Sequence, residues 1–291
     1  MTETITRPAE ASGSFTLGSD LPVVRLGFGA MRLTGEGIWG DPADPDECVR
    51  VLQRAVELGV TFIDTADSYG PFVSEQLIKR ALHPYADDLV VATKAGLTRQ
   101  GPGRWYPVGR PQYLRQQCEL SLRHLGVERI DLFQLHRIDS EVPLADQLGE
   151  LVMLQAEGKI RHVGLSEVDV AELDAASQLA TIVSVQNRYN LADTSADDLL
   201  GVCEQRGIGF IPWSPLVAGD LVRPGGPLDV ISGEHGATPS QLALAWLLRR
   251  SPVILPIPGT SRVSHLEENI AAATIELTDE EFAALSRAGA A

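Results

Sequence analysis

Basic residues are scarce in this chain: 24 Lys+Arg stand against 39 Asp+Glu, a formal net charge of −15. That balance disfavours a nucleic-acid backbone or an anionic membrane surface as a large-area partner, because both repel an acidic protein. It still permits a small basic pocket around one anionic ligand. Cysteine is rarer: Cys48, Cys118 and Cys203 are the whole complement. They show no CxxC spacing, and so odd and sparse a count argues against a disulfide framework and suits a reducing compartment. Each falls in an apolar-periodic segment, where a buried thiol is expected. The six histidines, His83, His124, His136, His162, His235 and His265, form neither HxH nor HExxH. A zinc hydrolase, the third reading open to polar residues at strand ends, lacks its ligand pairs, and no metal is expected. No apolar run approaches the length of a membrane span. The opening MTETITRPAEASG has neither a basic n-region nor an apolar h-region, so the expectation is a cytoplasmic protein without membrane partners. Internal repeats, low-complexity tracts and linkers are also missing.

What is present is a regular alternation. With 291 residues and 44% hydrophobic content, the chain can bury a large core. Short apolar runs rich in β-branched residues occupy 24–29, 60–64 (VTFID), 89–94 (LVVATK), 130–136 (IDLFQLH), 160–165, 182–186, 208–213 and 253–257. Between them lie helical stripes, such as Cys48, Val49, Leu52, Ala55 and Val56, then Leu114, Cys118, Leu122 and Leu125, then Leu144, Leu148, Leu151 and Val152. Further helices are expected at 73–82, 168–179, 195–205, 238–249 and 262–272. Gly59, Gly126, Gly158 and Gly207 each stand between a helix and the next strand, where a left-handed residue ends a helix. Eight strands alternating with helices predict an α/β fold, a single (β/α)8 TIM barrel. The competing open doubly wound sheet is disfavoured because 24–29 (VRLGFG) runs into AMRL and not into a GxGxxG turn. Residues 1–14 are expected to be a mobile N-terminal tail and 15–291 the barrel domain. A short hairpin over 15–23 is expected to cover the barrel's lower mouth.

Barrel chemistry is built at the C-terminal strand ends, so polar residues closing apolar runs are the informative ones. Asp64 closes VTFID, Tyr69 follows in DTADSYG, Lys94 closes LVVATK and His136 closes IDLFQLH. Singly, each has a plainer explanation: a helix cap, a packed loop ring, a partnered amine, a hydrogen-bonded core imidazole. Together they can deliver one proton to a carbonyl oxygen. A phenol with a pKa of about 10 is a poor acid near neutrality, but a neighbouring ammonium favours its phenolate. Lys94 is expected to do this for Tyr69, with Asp64 orienting the ammonium and His136 hydrogen-bonding the substrate oxygen. None of the four donates hydride, so a redox reading requires a cofactor.

On the DTADSYG, ATK and QLH segments and their spacing, the chain resembles the aldo-keto reductase family from about residue 22 to residue 286. The resemblance implies a catalytic tetrad of Tyr69, Asp64, Lys94 and His136. It also implies an extended NADP(H) whose nicotinamide lies at the barrel mouth. Met31 matches the first barrel loop near the nicotinamide, and Asp64 lies beside that end too. Ser166 and Gln186 match carboxamide-binding side chains, although the family usually follows that serine with Asn and this chain has Glu167. Trp213 stands in place of the nicotinamide-stacking Tyr. Ser214, Pro215 and Leu216 match the pyrophosphate-contacting turn, and Gly219 a loop over the cofactor. Gly259, Thr260, Ser261, Arg262 and His265 match the segment reading the adenosine 2′-phosphate, where His265 replaces a frequent Arg. Glu268 and Asn269 match adenine contacts.

The resemblance thus implies an NADPH-dependent oxidoreductase that reduces aldehydes and ketones reversibly. The pattern looks like the bacterial branch related to pyridoxal reductases, which makes pyridoxal a specific candidate. Trp39, Trp105 and Arg137 are the candidate substrate residues, the first two as walls of the pocket. The alternative is an NADPH-binding sensor or regulatory subunit resembling potassium-channel β-subunits. The expected partner is a small-molecule carbonyl substrate.

Overall fold

The computed structural model describes residues 7–216 and 227–289. Seven parallel strands form one sheet in the order β11-β10-β9-β8-β5-β4-β3. These are β3 (Phe28–Gly29), β4 (Phe62–Asp64), β5 (Val90–Ala95), β8 (Ile130–Leu135), β9 (Ile160–Ser166), β10 (Ile182–Arg188) and β11 (Gly209–Trp213). Residues 253–258 close the ring. On one side Phe210 donates to the Val253 carbonyl and Leu255 to the Phe210 carbonyl, both at 2.8 Å. On the other, Gly27 donates to Pro256 at 2.9 Å and Gly29 to Pro258 at 3.2 Å. The expected strand over 253–257 is therefore present as a bridging segment and not a full ladder, because Pro256 and Pro258 have no N–H to give. Gly29 is required at this seam: a Cβ there would lie 2.5 Å from the Ile257 carbonyl oxygen.

The strand expected over 24–29 is divided. Val24 ends a hairpin, β1 (Ser14–Leu17) with β2 (Leu21–Val24), in the register Ser14↔Val24, and only Phe28 and Gly29 pair within the barrel. The reason is geometric, since the chain must turn from the plug into the wall. Leu17, Leu21 and Val23 of the hairpin pack with Phe62, Val90, Leu132, Val183, Ile211 and Leu255, sealing the barrel interior at its N-terminal end. The hairpin expected to cover the lower mouth thus supplies part of the inner core. A second, larger core lies between the wall and the helices.

The helices that follow the strands are α1 (Pro45–Glu57), α2 (Val73–Leu82), α3 (Pro111–Leu125), α4 (Leu144–Ala156), α5 (Val170–Ser177), α6 (Asp197–Arg206), α8 (Pro239–Arg250) and α9 (Val263–Ala271). Their ends are chemically marked. The Asp44 side chain caps α1, capping boxes open α5 (Asp169, Glu172) and α8 (Thr238, Gln241), and Gly126 and Gly207 end α3 and α6 in the left-handed conformation. Two helices were not expected: α7 (Pro227–His235), which precedes α8, and α10 (Asp279–Gly289), which packs across both. A small hairpin, β6 (Leu97–Arg99) with β7 (Trp105–Pro107), rises from the loop after β5.

Of the tail expected over residues 1–14, residues 1–6 lie outside the described residues, and the part from Pro8 on differs. Pro8–Ser12 form a 3-10 turn in which Ala9 is fully buried, its amide donating to the Leu58 carbonyl at 3.1 Å. Ser12 Oγ accepts from the Leu26 amide at 3.0 Å, so the turn is fastened at both ends. All three cysteines are buried free thiols. Among the described residues, no helix is long and apolar enough to cross a membrane.

Candidate active site

Strands β4, β5 and β8 are adjacent in the wall, and their C-terminal ends place Asp64, Lys94 and His136 together. Lys94 is fully buried. Its Nζ donates to Asp64 Oδ2 at 2.5 Å, to the Thr65 carbonyl at 2.8 Å and to Tyr69 Oη at 3.5 Å. Asp64 Oδ1 in turn accepts from Gln134 Nε2 at 3.0 Å and Gln186 Nε2 at 2.9 Å. The carboxylate is therefore fixed by three donors on three strands. Burial alone would depress the ammonium of Lys94, but Asp64 and Tyr69 outweigh it and raise its pKa. For Tyr69 the balance runs the other way. Burial raises the phenol pKa, and the opposing pull of Lys94 does not overcome it, so the acid is held in its proton-bearing form.

His136 Nδ1 lies 3.3 Å from Ser68 Oγ. Burial, followed by the charges of Lys94, Arg137 and Arg99, drives its pKa well below the usual imidazole value, and the ring is neutral. In the tautomer that takes the Ser68 hydroxyl proton at Nδ1, the ring proton is on Nε2 and available as a hydrogen-bond donor. Tyr69, His136 and Trp105 meet edge to face, with ring centroids 5.9 Å apart for Tyr69 and His136 and 6.3 Å for Tyr69 and Trp105. Trp105 belongs to β7, so the loop after β5 sets an aromatic wall against Tyr69 and His136.

That wall is anchored by Arg99, which sequence reasoning missed. Its guanidinium lies 3.5 Å from the Trp105 ring centroid and 5.6 Å from that of Trp39. It also donates to the carbonyls of Ile38 (2.6 Å), Ser68 (2.8 Å) and Gly37 (2.8 Å). One side chain thus ties the first loop, the Tyr69 loop and the β6–β7 hairpin together. Nothing local marks it: its nearer partners, Gly101 and Arg104, offer only carbonyls of its own hairpin, and the carbonyls of Gly37, Ile38 and Ser68 are 31 to 62 residues away. Gln134, also missed, did carry a signal: a buried amide inside the apolar run IDLFQLH needs a polar partner.

The remaining candidates divide into two groups. Near the four residues, Ser166 Oγ accepts from Arg137 Nη1 at 3.0 Å, and Arg137 is held by the His136 carbonyl at 2.6 Å. Trp213, half-buried at the end of β11, donates from Nε1 to Glu167. Ser214 is exposed with φ +55°, Pro215 is buried and Leu216 is half-buried. Gly219 lies outside the described residues.

Further along the mouth, a groove runs between Met31, Arg32 and Thr34 on one side and Gly259, Thr260 and Ser261 on the other. Gly259 narrows to backbone there, since a Cβ would lie 2.6 Å from the Gly29 carbonyl oxygen. Arg262 is the N-cap of α9, and its side chain and that of His265 are exposed. Sequence reasoning also missed Glu47, whose Oε1 accepts from the Val263 amide at 3.1 Å, the first amide of that helix. Glu268 accepts from Thr238 Oγ1 at 2.7 Å, and Asn269 is buried. The groove ends at Ser261, and the exposed Arg262 that follows it at the start of α9 is a cationic group suited to the acidic end of a dinucleotide.

Comparison with known proteins gives this barrel its class. The family model described as "Aldo/keto reductase family" matches residues 25–290. The chain belongs to that family, and so to the oxidoreductases. It is 53% identical to an uncharacterised oxidoreductase of Schizosaccharomyces pombe over 97% of this chain and 91% of the relative. It is 41% identical to pyridoxine 4-dehydrogenase of Escherichia coli over 94% of this chain and 98% of that one. Among solved structures, an aldo-keto reductase from Klebsiella pneumoniae in complex with NADPH superposes with a TM-score of 0.81 at 28% identity, covering 94% of each chain.

Proposed function

We propose that this protein is an NADPH-dependent reductase of aldehydes and ketones, reversible in direction, with pyridoxal as its specific substrate. The observation that carries the reaction class is the buried chain Asp64–Lys94–Tyr69, which ends on a proton-bearing phenol. When bound, NADPH supplies the hydride. The protein's own groups handle the proton. Tyr69 Oη gives it to the carbonyl oxygen, and the phenolate left behind lies beside the Lys94 ammonium, which stabilises the charge as it forms. Asp64, pinned by Gln134 and Gln186, keeps that ammonium aimed. The neutral His136 donates to the same carbonyl oxygen and orients it. In the reverse direction the phenolate takes the alcohol's proton.

Met31, Asp64, Ser166, Gln186 and Trp213 would hold the nicotinamide end. Ser214, Pro215, Leu216 and Gly219 would contact the pyrophosphate. Gly259, Thr260, Ser261, Arg262 and His265 would receive the 2′-phosphate, and Glu268 and Asn269 the adenine. Trp39, Trp105 and Arg137 would line the substrate side.

Pyridoxal is favoured over other carbonyls by the 41% identity to a dehydrogenase acting at the 4-position of pyridoxine, because oxidation of that hydroxymethyl group yields the aldehyde pyridoxal. No specific observation favours a purely regulatory subunit, since the proton-delivery cluster is complete. The deciding experiment follows NADPH and NADH oxidation by purified protein with pyridoxal, aromatic aldehydes, α-dicarbonyls and ketosteroids. Turnover of NADPH with pyridoxal at the highest kcat/KM is expected. Turnover of other aldehydes only would remove pyridoxal, and none with any carbonyl would remove the reductase reading. Arg262→Ala is expected to narrow the preference for NADPH over NADH.

A further inference from the structure

Glu167 stands where the family resemblance leads one to expect asparagine, and its side chain spans three strand ends. It follows Ser166 at the end of β9 with φ +56°, a left-handed conformation that residues other than glycine seldom adopt. Its amide donates to the Gln186 carbonyl at 2.9 Å. Its Oε1 accepts from the Arg188 amide at 2.8 Å, at the end of β10, and from Trp213 Nε1, at the end of β11. The Arg188 guanidinium lies over the Trp213 ring, 5.9 Å from its centroid, and is itself paired with Asp193 at 3.1 Å. The indole is therefore held at its N–H edge by a carboxylate and faced on one side by a cation.

The departures at 167 and 213 are complementary. A tyrosine at 213 has no ring N–H to give, and an asparagine at 167 is one methylene shorter and uncharged. The Glu167–Trp213 pair replaces two family side chains with a donor and an acceptor that need each other.

We propose that Glu167 is a positioning residue that fixes the Trp213 indole, before any ligand arrives, as the platform for the nicotinamide ring. This rests on the NADPH-dependent reading above. A hydrogen bond to an ionised acceptor is roughly twice as strong as a neutral one. A ring already confined to one orientation loses less freedom when a flat ligand stacks on it.

The test begins without cofactor. The chain has 4 tryptophans, so a proton–nitrogen correlation spectrum is expected to carry four indole N–H resonances. Trp213→Phe removes one resonance and so identifies it. That resonance is expected to move upfield in Glu167→Ala and to shift less in Glu167→Gln, which keeps an acceptor oxygen. In steady-state assays, Glu167→Ala is expected to raise KM for NADPH by about tenfold, the loss of one charged hydrogen bond, while kcat changes less than about twofold. Glu167→Gln recovers most of the loss. In the Trp213→Phe background, Glu167→Ala adds nothing further to KM. The proposal is overturned if the indole resonance stays in place in an active enzyme, or if the two substitutions multiply as independent losses. A wild-type protein that oxidises no NADPH sinks the reductase reading instead.

Discussion

Asp64→Asn separates the charge of the Asp64–Lys94 pair from its shape. Lys94 has no solvent contact and three acceptors, of which Asp64 at 2.5 Å is the only anion. Gln134 and Gln186 both donate to Asp64 Oδ1, so an asparagine must keep its carbonyl oxygen there. Its NH2 group then faces the ammonium, donor against donor. Removing one partner of a buried ion pair costs about 3–5 kcal/mol, because the other charge is left uncompensated in a medium that cannot solvate it.

The pH dependence gives a second, sign-specific readout. In the wild type the folded pKa of Lys94 is raised, so its contribution is complete below the unfolded value of about 10.4 and is lost as pH rises through the folded one. In the variant burial is no longer outweighed, the folded pKa falls below about 10.4, and the unfolded chain binds the extra proton. Stability of the variant then rises with pH, by about 1.4 kcal/mol for each unit of depression. Urea unfolding of both proteins from pH 7 to pH 10 measures the gap between them. It is expected to be widest at pH 7 and to narrow toward pH 10. A gap below about 1 kcal/mol at pH 7, or one that does not change with pH, would falsify the buried-pair argument.

Tyr69→Phe should leave the urea midpoint nearly unchanged while lowering kcat/KM for NADPH-dependent reduction by about 10²–10⁴-fold, the usual share of a positioned acid; near-wild-type turnover would remove the proton-donor assignment. Burial lifts Glu75 to about 7, so its contribution to stability is present below the unfolded value of about 4.3 and fades as pH rises through neutrality. Glu75→Gln should therefore match the wild type near pH 5 and exceed it by up to about 3 kcal/mol near pH 8.5, and an equal difference at both pH values in urea titrations would contradict this. The depressed pKa of His136 makes its neutral form the folded one, so stability is present above about 6.5 and is lost as pH falls below it. His136→Gln should flatten that acid limb, and an unchanged limb would rule the histidine out as its source. Arg99→Ala frees the Trp105 hairpin from the first loop: KM for the carbonyl substrate should rise about tenfold or more, the worth of one or more charged hydrogen bonds, with new proteolytic cleavage within residues 97–107, and unaltered KM and cleavage would show that the latch is dispensable.

What the sequence reveals here follows the range of the forces involved. Helix α2 is legible because its stripe is local: the apolar positions Val73, Leu77, Ile78, Ala81 and Leu82 repeat at helical spacing within 73–82, although no side chain caps its start. The ends of β4, β5 and β8 are legible because a polar side chain closing an apolar run is anomalous wherever it falls. The short β3 and the bridging segment at 253–258 are not, since what decides them is the plug below the barrel and the seam between first and last strand, 226 and more residues apart in contacts such as those of Arg25 with Ile254 and Ser251. Arg99 is illegible for the same reason: it binds carbonyls, which every residue has, and so leaves no complementary side-chain pattern. Glu167 falls between these cases. Its oddness shows in the sequence as a departure from the family, but its meaning depends on Trp213, 46 residues later. Two departures that look independent along the chain become one interaction once β9 and β11 are set on either side of β10. Unusual residues at strand ends of a barrel are therefore more informative as neighbouring pairs than singly, and the coupling between Glu167 and Trp213 is the measurable form of that statement.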